Sequence, residues 1–129
     1  MFLSLDANDK RPIYQQIADG IKALIARGEL REGMVLPSVR QVSGDLGVNL
    51  NTIAVAYRQL QDEGFVTVRH GAGATVSSRR GHQPEKKEAL LKSLRTALTD
   101  WILAGFDDRE IAAAVQQELA LLQQKGNSR

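Results

Sequence analysis

A chain of 129 residues, 43% of them apolar, has room for one domain, or for one small domain with an appendage, and enough apolar side chains to build a core. It contains no cysteine, which excludes disulfides and thiolate metal sites, and its two histidines, His70 and His82, are too few for a histidine-only metal cluster. The net charge of +2 is too small on its own to indicate nucleic acid, and no apolar run approaches the ~18–20 residues that cross a bilayer.

The first residues, Met-Phe-Leu-Ser-Leu5, are apolar but lack the basic start and long apolar stretch of a signal peptide, so a cytoplasmic location is expected. Phe2, Leu3 and Leu5 suit an extended arm. Pro12 suits the first position of a helix. Ile13, Ile17, Ile21, Leu24 and Ile25 then recur at helical spacing to about Ala26, with Gly28 closing the helix. Gly20 inside it costs ~1 kcal/mol against alanine, which points to close helix packing at that position. Tyr14 and Gln15 read as surface or core-edge residues. After a turn over residues 29–33, Met34-Val-Leu36 has the composition of a short strand.

From Leu36 to Val76 the pattern is two helices joined by a tight turn, then a hairpin. Ser38-x-x-Gln41 has capping-box spacing, with Pro37 just ahead of it where a non-helical backbone is wanted. Val39, Val42 and Leu46 supply the apolar stripe, Gly47 the C-terminal cap, and Val48 a staple into the turn. Either Asn49 or Asn51 can cap the next helix. Its residues Ile53, Ala56, Tyr57 and Leu60 recur at i, i+3, i+4 and i+7 and face a core, and Gly64 ends it. Asn49, Asn51, Thr52, Val55, Arg58, Gln59 and Asp62 point the other way, with the polar residues gathered at the front. Such a face is often merely solvated. It also has the chemistry of a DNA-reading helix, because an asparagine can bond adenine N6 and N7 together and a helix N-terminus favours phosphate.

The next segment favours DNA. Phe65-Val-Thr-Val-Arg69 and Ala74-Thr-Val-Ser77 read as paired strands, and His70-Gly-Ala-Gly73 as their tip. No acidic residue occurs from Phe65 to Pro84, while Arg69, His70, Arg79, Arg80 and His82 all fall there. A glycine-tipped, acid-free hairpin directly after a helix-turn-helix is the wing of a winged helix, where glycines allow close approach to a groove and arginines pair with phosphate. The charge distribution agrees: residues 1–83 hold ten Lys and Arg against eight Asp and Glu, whereas residues 84–129 hold seven of each.

Beyond a polar, basic linker, Pro84-Glu85 begins a helix, since an acidic first turn complements the helix dipole. Leu90, Leu91, Leu94, Leu98, Trp101 and Ile102 line one side of it to about Ala104, and Gly105 breaks it. Asp107-x-x-Glu110 is a second capping box, followed by Ile111, Ala114, Val115, Glu118, Leu119 and Leu122 at helical spacing. Two helices of this size cannot bury both stripes by themselves. Either they fold back on the winged domain or they meet the same helices of a second chain, and half a stripe used within the chain would still leave leucine and tryptophan exposed. The expected interface of a homodimer is therefore Leu91, Leu94, Leu98, Trp101, Ile102, Ile111, Val115, Leu119 and Leu122.

Leu36-Pro-Ser-Val-Arg40, Leu46-Gly-Val48, Asn51-Thr-Ile53, Ala56-Tyr57, Leu60, Glu63-Gly64 and Arg69-His-Gly-Ala-Gly73 closely resemble the signature of the GntR family of bacterial transcription regulators. With the preceding helix the resemblance covers about residues 12–78. It implies a winged helix-turn-helix whose LPSxR arginine, recognition-helix front and wing tip touch DNA, which makes Arg40, Asn49, Asn51, Thr52, His70 and Gly71 the candidates here. The family often carries arginine where this chain has Leu50 and Ala54, so the half-site sequence does not carry over. The short two-helix tail resembles the YtrA subfamily, whose members dimerise through it.

The fold expected is mainly α with a small β-hairpin. Residues 1–78 form the winged helix-turn-helix, residues 79–84 a linker and residues 85–125 a helical dimerisation unit with a possible effector region. The function expected is a homodimeric, sequence-specific regulator, a repressor on a pseudo-palindromic double-stranded operator. In it Arg40 and Asn51 read bases, Ser38, Thr52 and Arg58 position phosphates, and His70 with Gly71 enters the minor groove. The alternative is a winged helix used for protein or RNA contact, or an activator without direct operator readout. No Ser-His-Asp set, HExxH, P-loop or supported carboxylate pair argues for an enzyme. No cofactor, metal or membrane partner is expected. A small-molecule effector is left open, with a crevice between winged domain and tail, or the dimer seam, as its place.

Overall fold

The computed structural model describes residue 3 and residues 5–69, 73–78 and 81–123. They divide between two compact units, one within residues 1–79 and one within residues 80–124.

In the first unit, α1 (Ile13–Ala26), α2 (Val39–Leu46) and α3 (Leu50–Asp62) precede a two-stranded antiparallel hairpin, β1 (Val66–Arg69) and β2 (Gly73–Val76). The expected apolar stripes meet in one core. Ile17, Ile21, Ile53, Leu60 and Val42 are fully buried, closed below by Val66, Ala74 and Val76 of the hairpin. The second helix is capped as its spacing predicts, with Gln41 N–H donating to Ser38 Oγ at 3.0 Å, although the return bond from the Gln41 side chain does not form. Gly47 ends α2 at φ 68°, a left-handed conformation that a side chain would strain. Across the turn Ser43 Oγ donates to Val48 O at 2.6 Å. Lys22 of α1 pairs with Glu63 at 2.5 Å and lies 5.3 Å from the Phe65 ring centre, tying α1 to the end of α3.

Three expectations change. The strand over 34–36 is reduced to one bridge, Val35 with Thr75, flanked by Leu36 N–H to Ala74 O at 2.8 Å and Val76 N–H to Met34 O at 2.9 Å. Pro37, which has no N–H to offer, stops it there. The second strand starts one residue earlier and ends one earlier than Ala74–Ser77. At Gly20 the close neighbour is the lead segment and not a helix: a Cβ there would sit 2.7 Å from Leu3 Cδ2. The lead is further held by Gln16, buried in α1, whose Oε1 accepts from Asp6 N–H at 3.2 Å and whose Nε2 donates to Arg11 O at 3.2 Å. Phe2 and its place in the expected arm lie outside the described residues.

In the second unit a 3-10 turn (Pro84–Lys86) leads into α4 (Lys87–Leu103), so the expected helix at Pro84 begins with tighter winding. Gly105 at φ 96° ends it. Asp107 and Glu110 then cap α5 (Asp108–Gln123) reciprocally, Glu110 N–H to Asp107 Oδ1 at 2.9 Å and Asp107 N–H to Glu110 Oε1 at 3.0 Å. Phe106 in the turn packs edge-on against Trp101, ring centres 4.8 Å apart. Between α4 and α5, joined by a four-residue connection, close approach is sparse.

Candidate nucleic-acid interface

The turn between Leu36 and Val39 presents two of the expected residues. Ser38 Oγ accepts the capping bond from Gln41, and the exposed Arg40 stands in the first turn of α2. This turn is pinned to α3 by a bond the sequence pattern did not reveal. Tyr57, expected as a core residue, is buried, and its hydroxyl donates to Pro37 O at 2.6 Å. Burial pushes the Tyr57 phenol up to about 12, since the phenolate would be the charged form in a low-dielectric site.

Asn49 caps α3, its Oδ1 accepting Asn51 N–H at 2.7 Å. One lone pair of the Asn49 side-chain oxygen is thereby taken up within the helix start. The Asn51 side chain is exposed and makes no hydrogen bond among the described residues. Thr52 is half-buried beside it. Arg58, two turns on, is exposed and has no ion pair among the described residues. His70 and Gly71, expected at the wing tip, lie outside the described residues, as do Arg79, Arg80 and the Arg69 side chain.

Between α3, the Pro37 turn and the hairpin lies a cavity of about 590 Å³. Ser38 and Arg58 both line it, together with Val35, Ala54, Val68 and Gly73, so the structure brings those two expected phosphate contacts to one depression. Arg40 and the asparagines flank the α3 front outside it. Val35, Val68 and Leu50 are exposed, which sequence periodicity did not show, whereas Val55 is exposed as its outward position predicts. For Leu50 the available signal was its place between the polar Asn49 and Asn51 at the helix start.

The face expected to pair with a second chain is open. Leu94, Trp101, Ile102, Val115, Leu119 and Leu122 are exposed, Leu91 and Leu98 are half-buried, and Leu90, Leu103, Phe106 and Leu121 enlarge the patch. Ile111, also expected on this face, is buried within the chain and leaves less surface open than its neighbours. A second cavity, of about 620 Å³, lies at the start of α4 between His82, Lys86, Lys87 and Leu90, Leu91, Leu94. Among the described residues no group of three or more His, Cys, Asp or Glu could hold a metal, and no helix is long and apolar enough to cross a membrane.

The sequence profile described as bacterial regulatory proteins, gntR family, matches residues 13–76. The chain is 35% identical over 107 residues to the HTH-type transcriptional repressor YtrA of Bacillus subtilis (strain 168), covering 81% of this chain and 82% of that one. A solved structure of YtrA from Sulfolobus acidocaldarius, a GntR-family transcription factor, superposes with a TM-score of 0.64 at 39% identity, over 77% of this chain and 99% of that one. A transcriptional antiterminator from Listeria monocytogenes EGD-e has a TM-score of 0.84 over 95% of this chain and 92% of that one, and at 24% identity it bears on the fold alone. The α2–α3 unit with its hairpin, read from the caps upward, and the match of both sequence and fold give one result: the chain belongs to the GntR family of bacterial regulatory proteins, in its YtrA subfamily, and is a DNA-binding transcription regulator and not an enzyme.

Proposed function

We propose that the protein is a cytoplasmic repressor that binds a pseudo-palindromic operator as a homodimer, each chain laying α3 in one half-site. The observation that carries this reading is the front of α3, where Asn51 stands exposed with its side-chain amide unbonded among the described residues, beside the capping Asn49. Residues 1–78 serve as the DNA-binding domain, residues 79–84 as linker and residues 85–125 as the dimerisation unit. Arg40 and Asn51 read base edges, with Asn49 beside them at the start of α3, Ser38, Thr52 and Arg58 position phosphates, and His70 with Gly71 reaches the minor groove.

Twofold pairing is supported by the second unit, in which no residue of α4 is buried. An apolar face of that extent on two adjoining helices marks an interface, and closed twofold pairs are the commonest assemblies. A twofold protein calls for a half-site spacing near one helical turn of DNA or a multiple of it. The cavity at the start of α4 is where a small-molecule effector would have room.

Footprinting on the DNA upstream of the protein's own gene tests the reading, with affinity followed against salt. Protection of a near-palindrome and a steep loss of affinity as salt rises are expected. Binding that is indifferent to both DNA sequence and salt would instead favour a winged helix used for protein contact.

A further inference from the structure

The outward side of α3 is not simply polar. Its first two turns carry Leu50, Asn51, Ala54 and Val55 away from the core, and Leu50 and Val55 are each 40% exposed. Leu50 is the first helical residue, set between the exposed Asn49 and Asn51, and Ala54 stands one turn behind it on the same flank, lining the cavity that holds Ser38 and Arg58. None of the core residues explains an exposed leucine at this point, and a polar side chain would serve a solvated helix start better.

A DNA major groove offers a partner for it. Among the base edges only thymine presents a methyl group there, and an apolar side chain distinguishes it from the polar edges of the other bases. We propose that Leu50 is a specificity-determining residue that packs on the 5-methyl group of a thymine in each half-site, with Ala54 leaving room for that base and Asn51 bonding the neighbouring base edge. The inference rests on the operator reading above and deepens it, replacing hydrogen-bond readout at this position with apolar readout. Removing the methyl exposes apolar area equivalent to about one buried methylene, or about a fourfold loss of affinity per thymine.

The test begins with selection of bound sequences from random double-stranded DNA by the full-length protein. Each thymine of the selected site is then replaced by deoxyuridine, one position at a time, and affinity is measured at fixed salt for wild type, Leu50→Ala and Leu50→Met. Expected is one thymine per half-site where the wild type and Leu50→Met lose about fourfold and Leu50→Ala, already weaker, loses nothing further. Because Leu50 is exposed, Leu50→Ala should melt with the wild type, and circular dichroism checks this. An enriched site at which no methyl matters, or a methyl effect that survives in Leu50→Ala, overturns this inference and leaves the operator reading standing. A pool with no enriched sequence overturns both.

Discussion

The two units solve the burial problem in opposite ways. In the first, three helices of 14, 8 and 13 residues and a hairpin of two four-residue strands converge on a closed core, so that Ile17, Ile21 and Ile53 see no solvent. In the second, α4 is longer, at 17 residues, yet none of its residues is fully buried and only Leu91 and Leu98 are half-buried. The difference lies in the spread of contacts along the chain. The short elements of the first unit are turned back on one another by Gly28, Gly47 and Gly64, whereas the second has one glycine-bearing turn between two helices that share few close approaches. Stability in the first unit is therefore a property of one chain, and in the second it is expected to depend on a partner.

That contrast breaks first at Ile53. Ile53→Ala opens a hole between α3 and α1 and should cost about 2–5 kcal/mol. Thermal unfolding would show it as a lowered midpoint that does not move with protein concentration. Trp101→Ala acts on the other side of the contrast. It removes an exposed ring set edge-on against Phe106 and should weaken chain association by roughly 2–4 kcal/mol, read as a shift toward monomer in sedimentation equilibrium, while the winged unit melts unchanged. Equal effects of both variants on the concentration-independent melt would erase the distinction.

Arg40→Ala tests the DNA side of the first unit. Its exposed side chain makes no hydrogen bond or ion pair among the described residues, so operator affinity should fall by about 1–3 kcal/mol in a gel-shift titration at fixed salt with no change in melting. Tyr57→Phe is the smallest. Losing the bond to Pro37 O should cost about 1 kcal/mol of stability. The same variant has a pH signature. The folded phenol titrates near 12, above its ordinary value of 10, so the stabilisation is complete below pH 10 and is lost as pH rises from 10 toward 12. Stability of the wild type should fall more steeply across that window than stability of the phenylalanine variant.

What the sequence made legible was local. Both capping motifs, the left-handed Gly47, the core stripe of α3 and the hairpin are set by residues within a turn or two of each other, and spacing alone exposes them. What it hid was non-local and aperiodic. Leu3 closing on Gly20, Gln16 gathering the lead chain and the Tyr57 hydroxyl reaching back twenty residues to a carbonyl leave no periodic trace. At the site, the polar front of α3 was readable because asparagine is rarely neutral at a helix start. Val55 was placed outward by its spacing, but the exposure of Leu50 was not readable, since an exposed leucine and a buried one look alike until the neighbours are placed.

The central claim is that two chains, joined through α4 and α5, place two α3 fronts on one stretch of duplex. The most direct measurement is the mass of the complex formed on the protected fragment upstream of the gene, by native mass spectrometry or light scattering. Two chains per near-palindromic site is the predicted result. A single chain giving the full footprint would contradict it.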